Sequence, residues 1–156
     1  MTIRQPYQRP LRLREKGKRA VRTQFGALCW RVRADKLEFL LVTSRQRKRW
    51  IVPKGWPVDG ATPAEAAKTE AWEEAGAKGK VSPVCLGIYS YNKYLDKKDV
   101  LPCVVAVFPI RVKKTETSYP EMDERRRKWF SRKKAAKLVD EPELANMILN
   151  FDPKSV

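Results

Sequence analysis

Apolar positions before residue 60 fall in short β-prone runs, and the pattern after residue 62 turns largely helical with strand-like runs between. Gln24 to Val32 and Leu37 to Thr43 are two such runs, parted by the polar Arg33-Ala34-Asp35-Lys36, which predicts a hairpin. Trp50-Ile51-Val52 predicts a third strand, stopped by Pro53. Val84 to Tyr91 and Val100 to Val112 are further strand candidates, and Arg127 to Phe130 adds one more. Pro102 and Pro109 interrupt the longest run, and proline lacks the N–H a ladder needs, so that run is expected at an edge or a bulge. Two late helices are predicted, one from Ser131 through Leu138, the other opened by Asp140-Glu141-Pro142-Glu143 and running to about Asn150.

The sharpest local signal is Thr62-Pro63-Ala64-Glu65: a capping hydroxyl, a proline at the first helical position and a glutamate at the third. The helix it opens should run to Ala75 and stop at Gly76, where glycine takes the left-handed conformation without steric penalty. At 100° per residue, Ala64, Ala67, Ala71 and Ala75 form a narrow stripe suited to close packing on a sheet. Glu70, Glu73 and Glu74 share an arc of roughly 100° beside it. Two unit charges of one sign 4 Å apart repel by about 4 kcal/mol at an effective dielectric near 20, so a cation is expected among these acids. Lysine or arginine could supply it; so could a hard, oxygen-seeking Mg²⁺ or Mn²⁺ ion. Taken alone, Glu-x-x-Glu-Glu on a helix is also the pattern of an ordinary solvated acidic face.

Composition narrows the chemistry. The chain has 156 residues, 42% of them hydrophobic, enough for one packed domain. It has no histidine, which excludes Ser-His-Asp and Cys-His nucleophiles and imidazole-ligated zinc. Cys29, Cys85 and Cys103 stand singly in apolar runs and read as buried free thiols of a reducing compartment. With 34 Lys plus Arg against 18 Asp plus Glu, the net charge of +16 should attract anionic partners. Much of the excess lies in a basic arm over residues 1–20, ahead of a single domain over residues 21–156. A solvated flexible tail and an RNA-binding arm are both open readings of it. No signal-peptide-like stretch and no apolar run of spanning length is present, so the expectation is a cytoplasmic chain with no membrane partner.

Trp50-Ile51-Val52, the turn Pro53-Lys54-Gly55, the loop to Gly60, the capped helix and Gly76 form one uninterrupted stretch that resembles the Nudix hydrolase family. The family's box runs from Gly55 to Ala77 without a gap; Gly55, Glu70, Glu73, Glu74 and Gly76 match, and Ala71 and Ala77 hold its apolar positions. Ala61 replaces the first glutamate and Thr69 the arginine that helps hold the acids in the family. The resemblance implies an α/β fold, an α/β/α sandwich with a mixed sheet flanked by helices. It also implies a metal-dependent pyrophosphohydrolase using Mg²⁺ or Mn²⁺, with Glu70, Glu74 and the Gly55 carbonyl as metal ligands and Glu73 as the general base. Trp50 to Pro53, Ala66 to Gly79 and Lys128-Trp129-Phe130 resemble the branch that hydrolyses diphosphoinositol polyphosphates and diadenosine polyphosphates. That likeness implies an anionic phosphorylated small molecule as substrate, with Arg22, Ser44, Arg45, Lys54, Lys97 and Lys98 as its phosphate-holding residues. Trp56 reads first as cover for the core edge and second as a stacking surface for a base. Alternatives are a nucleoside triphosphate, a nucleotide sugar or an RNA 5′ end as substrate, or a binding module with little turnover.

Overall fold

The computed structural model describes residues 22–95 and 100–156, together with Pro10. The rest of the basic arm over residues 1–20, and the candidate phosphate ligands Lys97 and Lys98, lie outside the described residues. The strands are β1 (Thr23–Arg33), β2 (Lys36–Thr43), β3 (Trp50–Ile51), β4 (Lys54–Gly55), β5 (Ala77–Val81), β6 (Gly87–Tyr94), β7 (Val100–Thr115) and β8 (Arg127–Ser131). The helices are α1 (Pro63–Ala75), α2 (Arg132–Leu138) and α3 (Pro142–Asn150), followed by a 3₁₀ turn at Pro153–Ser155.

The hairpin closes as the pattern predicts. Arg33 pairs with Lys36 around Ala34 and Asp35, whose φ values of 50° and 61° match the tight two-residue turn that follows the strands' own twist. The sheet is mixed: its main path runs β3-β2-β1-β7-β5, with β4 on β1, β6 on β7 and β8 on β2. β1 and β7 are parallel, while β2, β4, β6 and β8 make antiparallel pairs. Strand residues alternate between two cores. Phe25, Ala27, Cys29, Leu40 and Val42 pack with the alanines of α1 on one face. Leu28, Trp30, Phe39 and Leu41 pack with Ala135 of α2 and with Leu144 and Ile148 of α3 on the other. The result is the three-layer α/β/α sandwich with a mixed sheet. No helix among the described residues is long and apolar enough to cross a membrane.

Three expectations are corrected. β7 is central, paired with β1 along one side and with β6 and then β5 along the other. Its prolines are harmless because of where their missing donors point. The carbonyls of Val107 and Pro109 accept from Leu86 and Ser82, so Pro109 turns its nitrogen toward the gap between β6 and β5. Pro102 turns its nitrogen toward β1, but pairing with β1 begins only at Val104. Second, the strand expected from Val84 begins at Gly87, after the Ser82-Pro83 turn, and continues to Tyr94; β5 between α1 and that turn was not expected at all. Third, Cys29 and Cys103 are buried free thiols but Cys85 is exposed, since it precedes β6 instead of lying within a strand.

Candidate active site

Helix α1 is built from its cap upward. The Thr62 hydroxyl accepts the Glu65 N–H at 3.1 Å and the Glu65 carboxylate accepts the Thr62 N–H at 3.1 Å. At the other end Gly76 has φ 62°, and a Cβ there would meet Tyr119 Cδ1 at 2.5 Å and Arg127 Nη1 at 2.7 Å. Arg127 uses that space to donate to the Ala75 carbonyl at 2.7 Å, capping the helix's negative end with a cation. Ala64, Ala67, Ala71 and Ala75 are all buried, as the stripe predicts, and they seat the helix closely enough to bring Glu70 and Glu74 to β4.

Glu70 rests its carboxylate on Gly55. A Cβ at Gly55 would stand 2.0 Å from Glu70 Oε1, so glycine there is a requirement of close approach. One turn on, Glu74 is only 4% exposed, and its Oε2 accepts the Lys54 backbone N–H at 3.3 Å. Its Oε1 lies 3.2 Å from Nη2 of Arg125, whose side chain is 7% exposed. The same guanidinium reaches Glu121 Oε1 through Nε at 3.1 Å and donates from Nη1 to the Thr43 carbonyl at 3.1 Å. Arg125 is therefore the cation that the acidic face of α1 demanded.

The segment carrying Glu121 and Arg125 is fixed by the backbone. The Glu121 N–H donates to the Glu73 carbonyl at 2.9 Å, Glu116 N–H to the Gly76 carbonyl at 2.8 Å, and Arg126 N–H to the Thr43 hydroxyl at 2.9 Å. Burial pushes the Glu74 carboxyl up to about 8; Arg125 and Lys54 pull it down, while Glu70 and Glu121 raise it further. Burial likewise lowers Lys54 to about 8, with Glu74 opposing and Arg49 reinforcing the change. The Lys54 ammonium sits 4.8 Å from the centre of the Tyr91 ring.

These groups line one cleft of about 600 Å³. It brings together Gly55, Glu70, Glu74, Ser44, Arg45 and Lys54 of the predicted set. Ser44 accepts the Arg49 N–H at 3.1 Å, and Arg45, 58% exposed, reaches toward Glu124 at 3.7 Å. Two predicted residues do not join. Arg22 is exposed beside the start of β1, where its carbonyl accepts the Val104 N–H, and Glu73 is half-buried outside the lining. Helical geometry explains the second: Glu70 and Glu74 lie about 40° apart, whereas Glu73 is turned some 60° from Glu70 to the other side and 100° from Glu74.

Sequence reasoning missed Glu121, Arg125, Arg49, Arg47, Lys93, Tyr91 and Tyr94, all of which line the cleft. Trp56 lines it too, instead of serving only as core cover, with the Lys93 ammonium 5.4 Å from its ring. Arg47 lies 4.7 Å from the Tyr94 ring, so three aromatic rings in the cleft each face a cation. The one sequence signal for the distal group was the basic run Arg125-Arg126-Arg127 directly after the acids Glu121, Asp123 and Glu124, and it carries no spacing rule.

The donor set suits a hard ion: carboxylates and backbone oxygen, no histidine, and a buried Glu74 whose ionised form is under-compensated. Glu70 lies against Gly55 and Glu74 against the Lys54 N–H, on neighbouring residues of β4. Among the described residues no three acidic side chains already converge as a cage, and Arg125 occupies one oxygen of Glu74.

Comparison with known proteins agrees with this architecture. The profile of the Nudix domain matches residues 22–151. The chain belongs to the Nudix family. Nudix hydrolase 13, mitochondrial, of Arabidopsis thaliana is 33% identical over 109 residues, covering 67% of this chain and 54% of that protein. Diphosphoinositol polyphosphate phosphohydrolase 3-beta of Homo sapiens is 32% identical over 114 residues, covering 73% and 66%. In these alignments the Nudix chain spans between about half and two-thirds of its relatives' length. The crystal structure of an Ap4A hydrolase from C. elegans superposes with a TM-score of 0.61 at 22% identity, over 87% of this chain and 99% of that one, a likeness of fold.

Proposed function

We propose that this Nudix domain hydrolyses a phosphoanhydride bond in a nucleotide-capped polyphosphate, a dinucleoside polyphosphate before other substrates, with Mg²⁺ or Mn²⁺. The observation that carries the proposal is the cleft itself: Glu70 and Glu74 against Gly55 at its inner wall, with cations and aromatic rings along the rest. Glu70, Glu74 and the Gly55 carbonyl would hold the ion, which, when bound, neutralises phosphate charge and acidifies its water. Arg45, Arg47, Lys54 and Lys93 line the path of a phosphate chain, each charge-assisted bond contributing about 1.5 to 3 kcal/mol. Trp56, Tyr91 and Tyr94 offer faces for a base, which an all-phosphate inositol substrate would leave unused. Proton acceptance from the attacking water falls to Glu121, which faces the cleft where Glu73 does not.

The human relative named as a diphosphoinositol polyphosphate phosphohydrolase supports a second reading, an inositol pyrophosphate in the same cleft. One assay separates the two. With Mg²⁺ or Mn²⁺, a panel of dinucleoside polyphosphates, inositol pyrophosphates, triphosphates and 5′-triphosphate RNA is incubated with the protein and the products are identified by mass. The expected result is cleavage of the dinucleoside polyphosphate. Glu121→Gln should lower kcat by about 10²- to 10⁴-fold and Glu73→Gln by much less. Tight binding with every substrate left intact would overturn the enzymatic reading.

A further inference from the structure

On the side of α1 turned away from Glu70 and Glu74 lies a second, more open groove. Trp72 sits roughly 160° around the helix from both acids, and Lys68 roughly 160° from Glu70 and 120° from Glu74. With Lys78 and Lys80 of β5 and Lys113 and Lys114 of β7 they line a space of about 950 Å³ that contains no acidic lining residue and shares none with the cleft. The charges there are arranged at a cost to the fold. Lys78 is registered opposite Lys114, and directly opposed like charges weaken a sheet. Glu116 relieves this rung, 3.5 Å from Lys78 and 2.9 Å from Lys114. Lysine on an edge strand does protect against unwanted pairing, which would account for Lys78 and Lys80 on β5. Past Arg111, β7 has β5 alone as its partner, so the same protection extends to Lys113 and Lys114, but it does not account for Lys68 on the helix.

We propose that this groove binds single-stranded nucleic acid, the lysines following the phosphates and a base lying against Trp72. The Lys78 ammonium already stands 4.7 Å from the Trp72 ring, so a cation and an aromatic face are offered side by side. That combination suits unstacked bases on an anionic backbone, whereas a base-free polyanion needs only the charges. The groove is separate from the hydrolytic cleft, and binding there does not depend on the reading of that cleft.

The test is fluorescence anisotropy of the full chain with a labelled 5′-hydroxyl oligouridine over a range of salt. Lys80→Ala/Lys113→Ala/Lys114→Ala should weaken binding by at least about tenfold and make the slope of log affinity against log salt shallower by roughly 2, as loss of three phosphate contacts requires. Trp72→Ala should weaken binding roughly fivefold or more with the slope unchanged, since base stacking is uncharged. Should that variant fail to fold, Trp72→Leu takes its place with the same expectation. The lysine triple variant should hydrolyse small substrates at the parental rate. Wild-type affinity in the triple variant would overturn the proposal. So would inorganic polyphosphate of equal charge competing as well as the oligonucleotide with no dependence on Trp72.

Discussion

Arg125 divides one guanidinium among Glu74, Glu121 and the Thr43 carbonyl, and almost none of it reaches solvent. Removing it leaves the buried Glu74 carboxyl and the Thr43 carbonyl each short of a donor and Glu121 short of its counter-charge, and each buried polar group left unpaired costs about 1 to 3 kcal/mol. Arg125→Ala should therefore lower the melting temperature strongly, and Mn²⁺ should recover more of the loss than it adds to the parent, because the ion supplies the missing positive charge. Equal Mn²⁺ shifts in parent and variant would contradict this. Arg125→Lys keeps the charge but not the two-armed geometry and should fall between them. Glu74 carries its own pH signature. Its carboxyl is raised from 4.5 to about 8, so the fold favours the protonated form. The stability this confers is complete below pH 4.5 and is lost as pH rises through about 8. Lys54, lowered from 10.5 to about 8, acts in the opposite sense and only above that value: it sheds its proton in the fold before the unfolded chain does, so stability rises again between about 8 and 10.5. Metal-free protein should lose stability between pH 4.5 and about 8, and Glu74→Gln should flatten the slope in chemical denaturation series. An ion must displace the proton, so its apparent affinity should rise up to about pH 8 and then level off.

At the scale of elements, α1 separates stability from chemistry. Its capping box holds the helix start without touching the cleft, while the Gly55 contact holds Glu70 without supporting the cap. Thr62→Ala should cost about 1 kcal/mol, which lowers the melting temperature by roughly 2 to 4 °C in a domain of this size, with kcat retained. Gly55→Ala should do the reverse, expelling the Glu70 carboxylate and abolishing Mn²⁺-dependent turnover with little thermal change. Paired calorimetry and rate measurements check both, and a fully active Gly55→Ala would remove Glu70 from the metal site. The two-residue turn, the cap and the helix stop were all readable in the sequence because each is settled by neighbours within four positions. The place of β7 was not. A proline forbids a hydrogen bond on one side of a strand only, and which side is engaged depends on partners far along the chain.

For the whole molecule, the net charge of +16 and a cleft rimmed by arginine and lysine predict electrostatic capture of a polyanionic substrate. Raising salt from about 50 to 200 mM should reduce kcat/KM severalfold while kcat stays nearly constant, since screening acts on encounter more than on bound contacts. A kcat that falls in parallel would place the salt effect within the bound complex. The cleft draws on residues from Gln24 to Arg125, gathered where α1, the β3–β4 turn, β6 and the segment before β8 meet.

The local sequence determined the capped helix, its alanine stripe, the glycine at each end of the box and the arc shared by Glu70, Glu73 and Glu74, because hydrogen-bond capping and helical periodicity act over a few residues. It also required a cation among those acids, since their repulsion follows from spacing alone. Tertiary structure decided that the cation is Arg125, that Glu121 enters the cleft while Glu73 stays outside, and that Trp56 faces it. Those choices depend on how a segment some fifty residues beyond the helix folds back onto Glu73, Gly76 and Thr43, and no local pattern encodes that return.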